Sequence, residues 1–248
     1  MLKHLLIITA LLSISTYASA QTFGFGFVRG YGGLVYQSYN ASGLNQFITK
    51  FNIDIYETIG VLKSFDDATG YRIGIIFFRA TSKNNIILTA KGNYQSLEKT
   101  NTAKIENENS YNYSLYLDLN NWSLGIDVGW EITKIISWKI LDASVNFNYV
   151  TLTETTDLSG ETIVQEYKSN SGVFGYSIGT GIIVAILKDY ISVEGLVGYT
   201  YLSIDNVYNE NGVPFLNQIT TTSNSYSSFI DAGGFTAVIQ LNLGFPLL

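Results

Sequence analysis

The chain contains no cysteine, and its one histidine is His4. Without cysteine there is no disulfide, no thiol nucleophile, no cysteine metal site and no lipidated N-terminal cysteine. Two prolines in 248 residues leave most segments free to pair in a sheet. Charge is scarce at 14% and nets −6, which excludes a nucleic-acid partner, since that needs a basic face. Long apolar runs are lacking too. Beyond the N-terminus none reaches the roughly 18 residues of a helical membrane span. Aromatic residues, in contrast, make up 14% of the chain, with 18 Tyr and 14 Phe, at a mean hydropathy of only +0.17. Aromatic wealth at modest hydropathy fits strands whose polar alternate positions dilute the apolar signal.

Residues 1–20 read as a cleaved secretory signal. Lys3 and His4 form a basic start, Leu5 to Ile14 an apolar core, and Ala18-Ser19-Ala20 a small-residue cleavage site. Cleavage before Gln21 removes His4, so the mature domain, 21–248, has no imidazole.

The clearest pattern runs from Tyr111 to Trp130. Tyr111, Tyr113, Leu115, Leu117 and Leu119 alternate with polar residues, and after Asn120-Asn121 the parity flips to Trp122, Leu124, Ile126, Val128 and Trp130. Successive side chains of a strand point to opposite faces, so one face is apolar and aromatic-ended and the other polar, small or acidic. A soluble sandwich would pack the apolar face on a second sheet; a membrane barrel would turn it to lipid. Similar alternation covers Phe23 to Tyr39, Tyr71 to Ala80, Ile86 to Tyr94, Leu141 to Tyr149, Phe174 to Val184, Val193 to Tyr201 and Phe235 to Phe245. Between them lie polar stretches expected to be loops, at 40–70, 98–109, 154–171 and 205–231. Leu44, Phe47, Ile48 and Phe51 have helical spacing, so a short helix is expected in the first.

Reading Asn120-Asn121 as a hairpin turn gives nine strands. Reading it as a β-bulge, which flips parity by one extra residue, gives eight. With eight, the four long connections alternate with short ones at 81–85, 131–137 and 187–190. Membrane barrels show that alternation together with an even strand number. The expected fold is therefore all-β, an eight-stranded antiparallel transmembrane β-barrel with up-and-down meander topology.

The signal, the eight amphipathic strands and the terminal strand from Gly233-Gly234-Phe235 to Phe245 resemble the small outer-membrane β-barrel proteins of the OmpA/OmpX type. The resemblance covers nearly all of the mature chain and lies in pattern rather than in short motifs. It implies a bacterial outer-membrane location, with membrane lipid and the barrel-assembly machinery as partners. The chain departs from the type at its end, where Phe245 is followed by Pro246-Leu247-Leu248 instead of closing the sequence.

An eight-stranded barrel is just wide enough for side chains to fill it. Parity turns Lys91, Asp118, Asp127, Glu131, Asp142 and Glu194 inward and leaves the side of Arg29, Arg72 and Arg79 open. Interior charges need partners or water. A structural ion network that fills the lumen is the leading expectation, with external loops contacting surfaces, solutes or an unspecified ligand. A narrow channel is the alternative. A lipid-active enzyme is disfavoured because a serine nucleophile usually leans on a histidine base, and no Ser-Lys or Ser-Tyr spacing stands in for one. No catalytic residue, cofactor or transition-metal site is expected. Calcium at Asp66-Asp67 or at Glu106 to Glu108 ranks below solvated loop charge.

Overall fold

The computed structural model describes residues 27–54, 60–105, 110–158, 161–170, 172–187, 190–216 and 228–246. The signal segment, Glu106 to Glu108 and the turn at Lys188-Asp189 lie outside these described residues. The elements are β1 (Phe27–Ser38), α1 (Ser42–Asp54), β2 (Asp67–Thr81), β3 (Ile86–Ile105), β4 (Tyr111–Glu131), β5 (Ile136–Leu158), β6 (Glu161–Lys168), β7 (Val173–Leu187), β8 (Ile191–Tyr201) and β9 (Gly234–Pro246). Eight strands close a ring, β1-β2-β3-β4-β5-β7-β8-β9 and back to β1, with every pairing antiparallel. The expected eight-stranded barrel is formed. β6 stands outside the ring as a hairpin partner of the upper part of β5. The expected helix is α1, which buries Leu44, Phe47 and Ile48.

Short connections gather at one end of the barrel and long ones at the other, as expected, but two of the expected loops are largely strand. β3 continues to Ile105, pairing Glu98 through Ile105 with Asp118 through Tyr111. β5 continues to Leu158 and pairs with β6. Threonine supplies the reason: Thr100, Thr102, Thr151, Thr153 and Thr155 are polar yet β-branched, and a β-branched side chain suits a pleated surface. The long strands β3, β4 and β5, of 20, 21 and 23 residues, therefore rise with β6 as a wall above the ring.

The structure also overturns the bulge at Asn120-Asn121. β4 keeps unbroken register there on both sides, Asn120 opposite Ser96 and Tyr149, Asn121 opposite Gln95 and Asn148. The strand does not change its face; the surroundings change. Below Asn120 the inward residues are Asn121, Ser123 and Asp127, and the outward ones are Trp122, Leu124 and Ile126. Above it the inward residues are Tyr113, Leu115, Leu117 and Leu119, all buried, while the outward ones are polar. The chain is apolar outside below this level and apolar inside above it.

The lower exterior carries a continuous apolar belt. Leu34, Ile73, Ile75, Trp122, Leu124, Ile126, Ile178, Ile182, Val197 and Ile239 are all exposed, with Leu34 at 69%. Aromatic residues rim it above, where Tyr94 lies 5.0 Å from Trp122, Phe147 lies 6.2 Å from Phe174, and Tyr176 stacks on Tyr201 at 5.1 Å. Trp130 and Trp138, directly opposite each other on β4 and β5, rim it below. From Trp122 to Trp130 is about 27 Å along the strand at the usual rise, or roughly 20 Å along the barrel axis at the usual tilt. A monomeric soluble protein rarely exposes a contiguous apolar patch of this extent. Ile126→Lys, in mid-belt, should destabilise folding into a bilayer by about 2–4 kcal/mol. Thr102→Lys on the upper wall should change it little, and equal losses in urea titrations of vesicle-folded protein would count against a lipid-facing belt.

Candidate functional site: the barrel interior and its external cap

Three layers occupy the barrel among the described residues, an ionic one, a hydrogen-bonded one above it and an apolar one at the external end. In the lower layer Lys91 and Lys139 face Asp127, Asp142 and Glu194. Lys91 Nζ lies 2.8 Å from Asp127 Oδ1 and pairs with Asp142 Oδ2. Lys139 Nζ lies 2.9 Å from Asp127 Oδ2 and 3.3 Å from Asp142 Oδ2, and pairs with Glu194 Oε1. Each of the five is at most 6% exposed. Glu194 Oε2 also accepts from Gln240 Nε2 at 3.2 Å and Asn242 Nδ2 at 3.3 Å. Glycines in register make room for the lysine stems: Gly125 lies beside Lys91, and Gly129 and Gly181 flank Lys139.

Above the ions lies an uncharged layer crossed by one arginine. Arg72 donates from Nε at 3.1 Å and from Nη2 at 2.7 Å to Gln95 Oε1, and Gln95 Nε2 donates to Gln37 at 3.3 Å. Across the lumen, Asn146 Nδ2 donates to Ser177 at 2.7 Å, and the hydroxyls of Ser177, Thr200 and Thr236 form a chain at 3.1 and 2.9 Å. Tyr31 reaches across through the space left by Gly74, where a Cβ would sit 2.4 Å from its ring. The void among Arg72, Lys91, Asn93, Asp142 and Thr236 has a volume of about 20 Å³, room for about one water.

The six residues that parity turned inward are not all brought together. Lys91, Asp127, Asp142 and Glu194 meet in the ionic layer. Glu131 is half-buried at the rim, the last residue of β4, opposite Ser137. Asp118 is corrected outright: it lies on the outer face, opposite Glu98, because β4 carries no bulge at Asn120. Arg72 is inward; Arg29, half-buried, registers beside Ile76, and Arg79, beside Thr89 near the short-turn end of β2, is exposed.

Lys139 was missed because the bulge sits elsewhere. Register shifts between Lys139 and Asp142 on the β7 side, and at Val128/Gly129 on the β4 side. The extra residue turns both Lys139 and Asp142 inward across an odd spacing. The signal in the sequence was Ile140-Leu141, two successive apolar residues in an otherwise alternating strand. Thr180 Oγ1 donates to the Lys139 carbonyl at 2.7 Å, satisfying backbone that the bulge would leave bare.

The upper layer is an apolar cap. α1 and residues 202–216 and 228–230 pack Leu44, Phe47, Leu202, Phe215, Leu216, Phe229 and Ile230 onto the inner face of the wall, against Leu97, Leu115, Leu117 and Leu152. Phe215 is its centre, 4.7 Å from Phe47, 5.1 Å from Tyr167 and 6.1 Å from Phe229. Asn45 and Asn52 bind the returning chain, Asn45 Oδ1 accepting from Phe65 N at 2.8 Å and Asn52 Oδ1 from Leu62 N at 3.0 Å. Tyr113 donates to Glu154 at 2.8 Å, and burial together with that carboxylate raises its hydroxyl pKa well above the ordinary phenol value. Asp66 accepts from Asn45 at 2.9 Å and Asp67 pairs with Lys99, so protein donors engage both carboxylates at the site considered for calcium.

No family model matches the chain, and no curated protein matches it. Among solved structures, the attachment invasion locus protein Ail of Yersinia pestis aligns at 10% identity over 89% of this chain and 99% of its own, with a TM-score of 0.39. Neisserial surface protein A (NspA) aligns at 12% identity over 89% and 97%, also at 0.39. Likenesses this weak say nothing about activity.

Proposed function

We propose that the chain is an integral bacterial outer-membrane β-barrel protein, non-enzymatic, whose lumen is closed by its own side chains and whose working surface is the external end. The observation that carries this reading is the inversion along β4. An apolar exterior around a charged, hydrogen-bonded interior suits a lipid belt. A polar exterior around an apolar cap suits water. The exported, signal-bearing chain expected from the sequence is consistent with that location. The ionic layer supports closure, since its two lysines and three carboxylates pair with one another across the lumen and the void above them holds about one water.

A channel would need a continuous wet path, so refolded protein in a planar lipid bilayer should remain electrically silent while its unboiled form still migrates apart from its boiled form on a denaturing gel. Steady, discrete openings from folded protein would overturn the closed lumen and make Lys91, Asp127, Lys139, Asp142 and Glu194 selectivity residues. A protein extracted fully without detergent would overturn the membrane location itself.

A further inference from the structure

The void beside Arg72 is lined by groups whose hydrogen-bonding capacity the described residues leave unused. Asn93 is 6% exposed, and its Oδ1 is buried with no hydrogen-bond partner among the described residues. Arg72 donates to Gln95 from Nε and Nη2 and, among the described residues, to nothing from Nη1. Asp142 meets Lys91 and Lys139 at the same oxygen, Oδ2, although an ionised carboxylate accepts at both. All three residues line the void. Gly179 and Gly198, in register on β7 and β8, put no side chain into it. A buried acceptor left unpaired is costly, so the void calls for a small donor that can also accept.

We infer that this void binds one ordered water, which accepts from Arg72, donates to Asn93 Oδ1 and to Asp142, and so couples the arginine to the ionic layer below. A buried water takes roughly two to four polar partners, and these three residues supply them. A halide would suit Arg72 and Lys91 but has no proton for Asn93 Oδ1 or for Asp142. A metal cation would suit those oxygens but would lie against Arg72 and Lys91. Water meets both demands. The bridge gives Arg72 a part in closing the lumen. The ionic layer sets three carboxylates against two lysines, and the water brings a further cation to bear on them. The inference rests on the closed lumen proposed above.

A crystal structure of the native protein grown in bromide tests the occupant, because bromide replaces a bound halide and scatters anomalously. Density for one water should appear within hydrogen-bond reach of Asn93 Oδ1 and Arg72, with no anomalous signal. An anomalous peak there would assign the void to a halide, and a void without ordered density would show it dry; either overturns the inference. A double-mutant cycle tests the coupling, read as urea midpoints of vesicle-folded protein whose insertion the heat-dependent gel shift confirms. R72M should lower the midpoint of the native protein and shift D142N several-fold less. In D67N, whose carboxylate pairs with Lys99 at the external end, R72M should act as it does in the native protein. Equal R72M shifts in native and D142N backgrounds, with the native protein silent in a planar bilayer, would overturn the inference alone. Steady openings of the native protein would overturn the closed lumen with it.

Discussion

Lys139→Met should weaken the folded barrel by about 3–5 kcal/mol, the range for removing one partner of a buried ion cluster. The ionic layer holds two lysines and three carboxylates. Loss of Lys139 leaves Asp127 and Asp142 sharing Lys91 and takes from Glu194 its lysine partner, at low dielectric. Asp127→Leu acts in the other direction, leaving two lysines with Asp142 and Glu194, a balanced set in which each lysine keeps a carboxylate. Its cost should be clearly smaller. Urea unfolding of vesicle-folded protein measures both. Equal losses would mean that charge balance does not govern this layer, and a neutral Lys139→Met would mean that Lys139 does not face the lumen.

Phe215→Ala should loosen the cap and spare the barrel. A buried phenylalanine truncated to alanine costs about 3–5 kcal/mol, and Phe215 contacts α1 through Phe47, the wall through Tyr167 and the last connection through Phe229. Its contacts lie in the apolar cap, above the hydrogen-bonded and ionic layers. Limited proteolysis should therefore cut residues 39–66 and 202–216 faster, while the gel shift persists and a planar bilayer stays silent. New conductance in this variant would show that the cap, rather than the ionic layer, seals the lumen.

Much of this architecture is written in alternation. The strands, the asymmetry of short and long connections and the helix at Leu44 to Phe51 follow from spacing, because period-2 and period-3.6 patterns report local backbone geometry. The strand count came out at eight through a bulge that β4 does not contain. The count survives because Asn120-Asn121 lies inside one continuous strand, whatever flips its pattern.

Which medium bathes each face was not legible. Alternation separates two faces without saying whether either meets lipid, water or a core. At Leu119 the apolar face is inside because α1 and residues 202–216 and 228–230 arrive there from distant sequence; at Trp122 it is outside, 59% exposed among the described residues. Asp118 was misassigned for that reason. Lys139 was missed because a bulge is a relation between neighbouring strands, fixed only when β4 and β7 take their registers against β5. The sequence by itself determined an amphipathic eight-stranded barrel with charges on its inner face. Tertiary structure decided where its polarity inverts and which cation completes the ionic layer, since both depend on what long-range pairing places beside each residue.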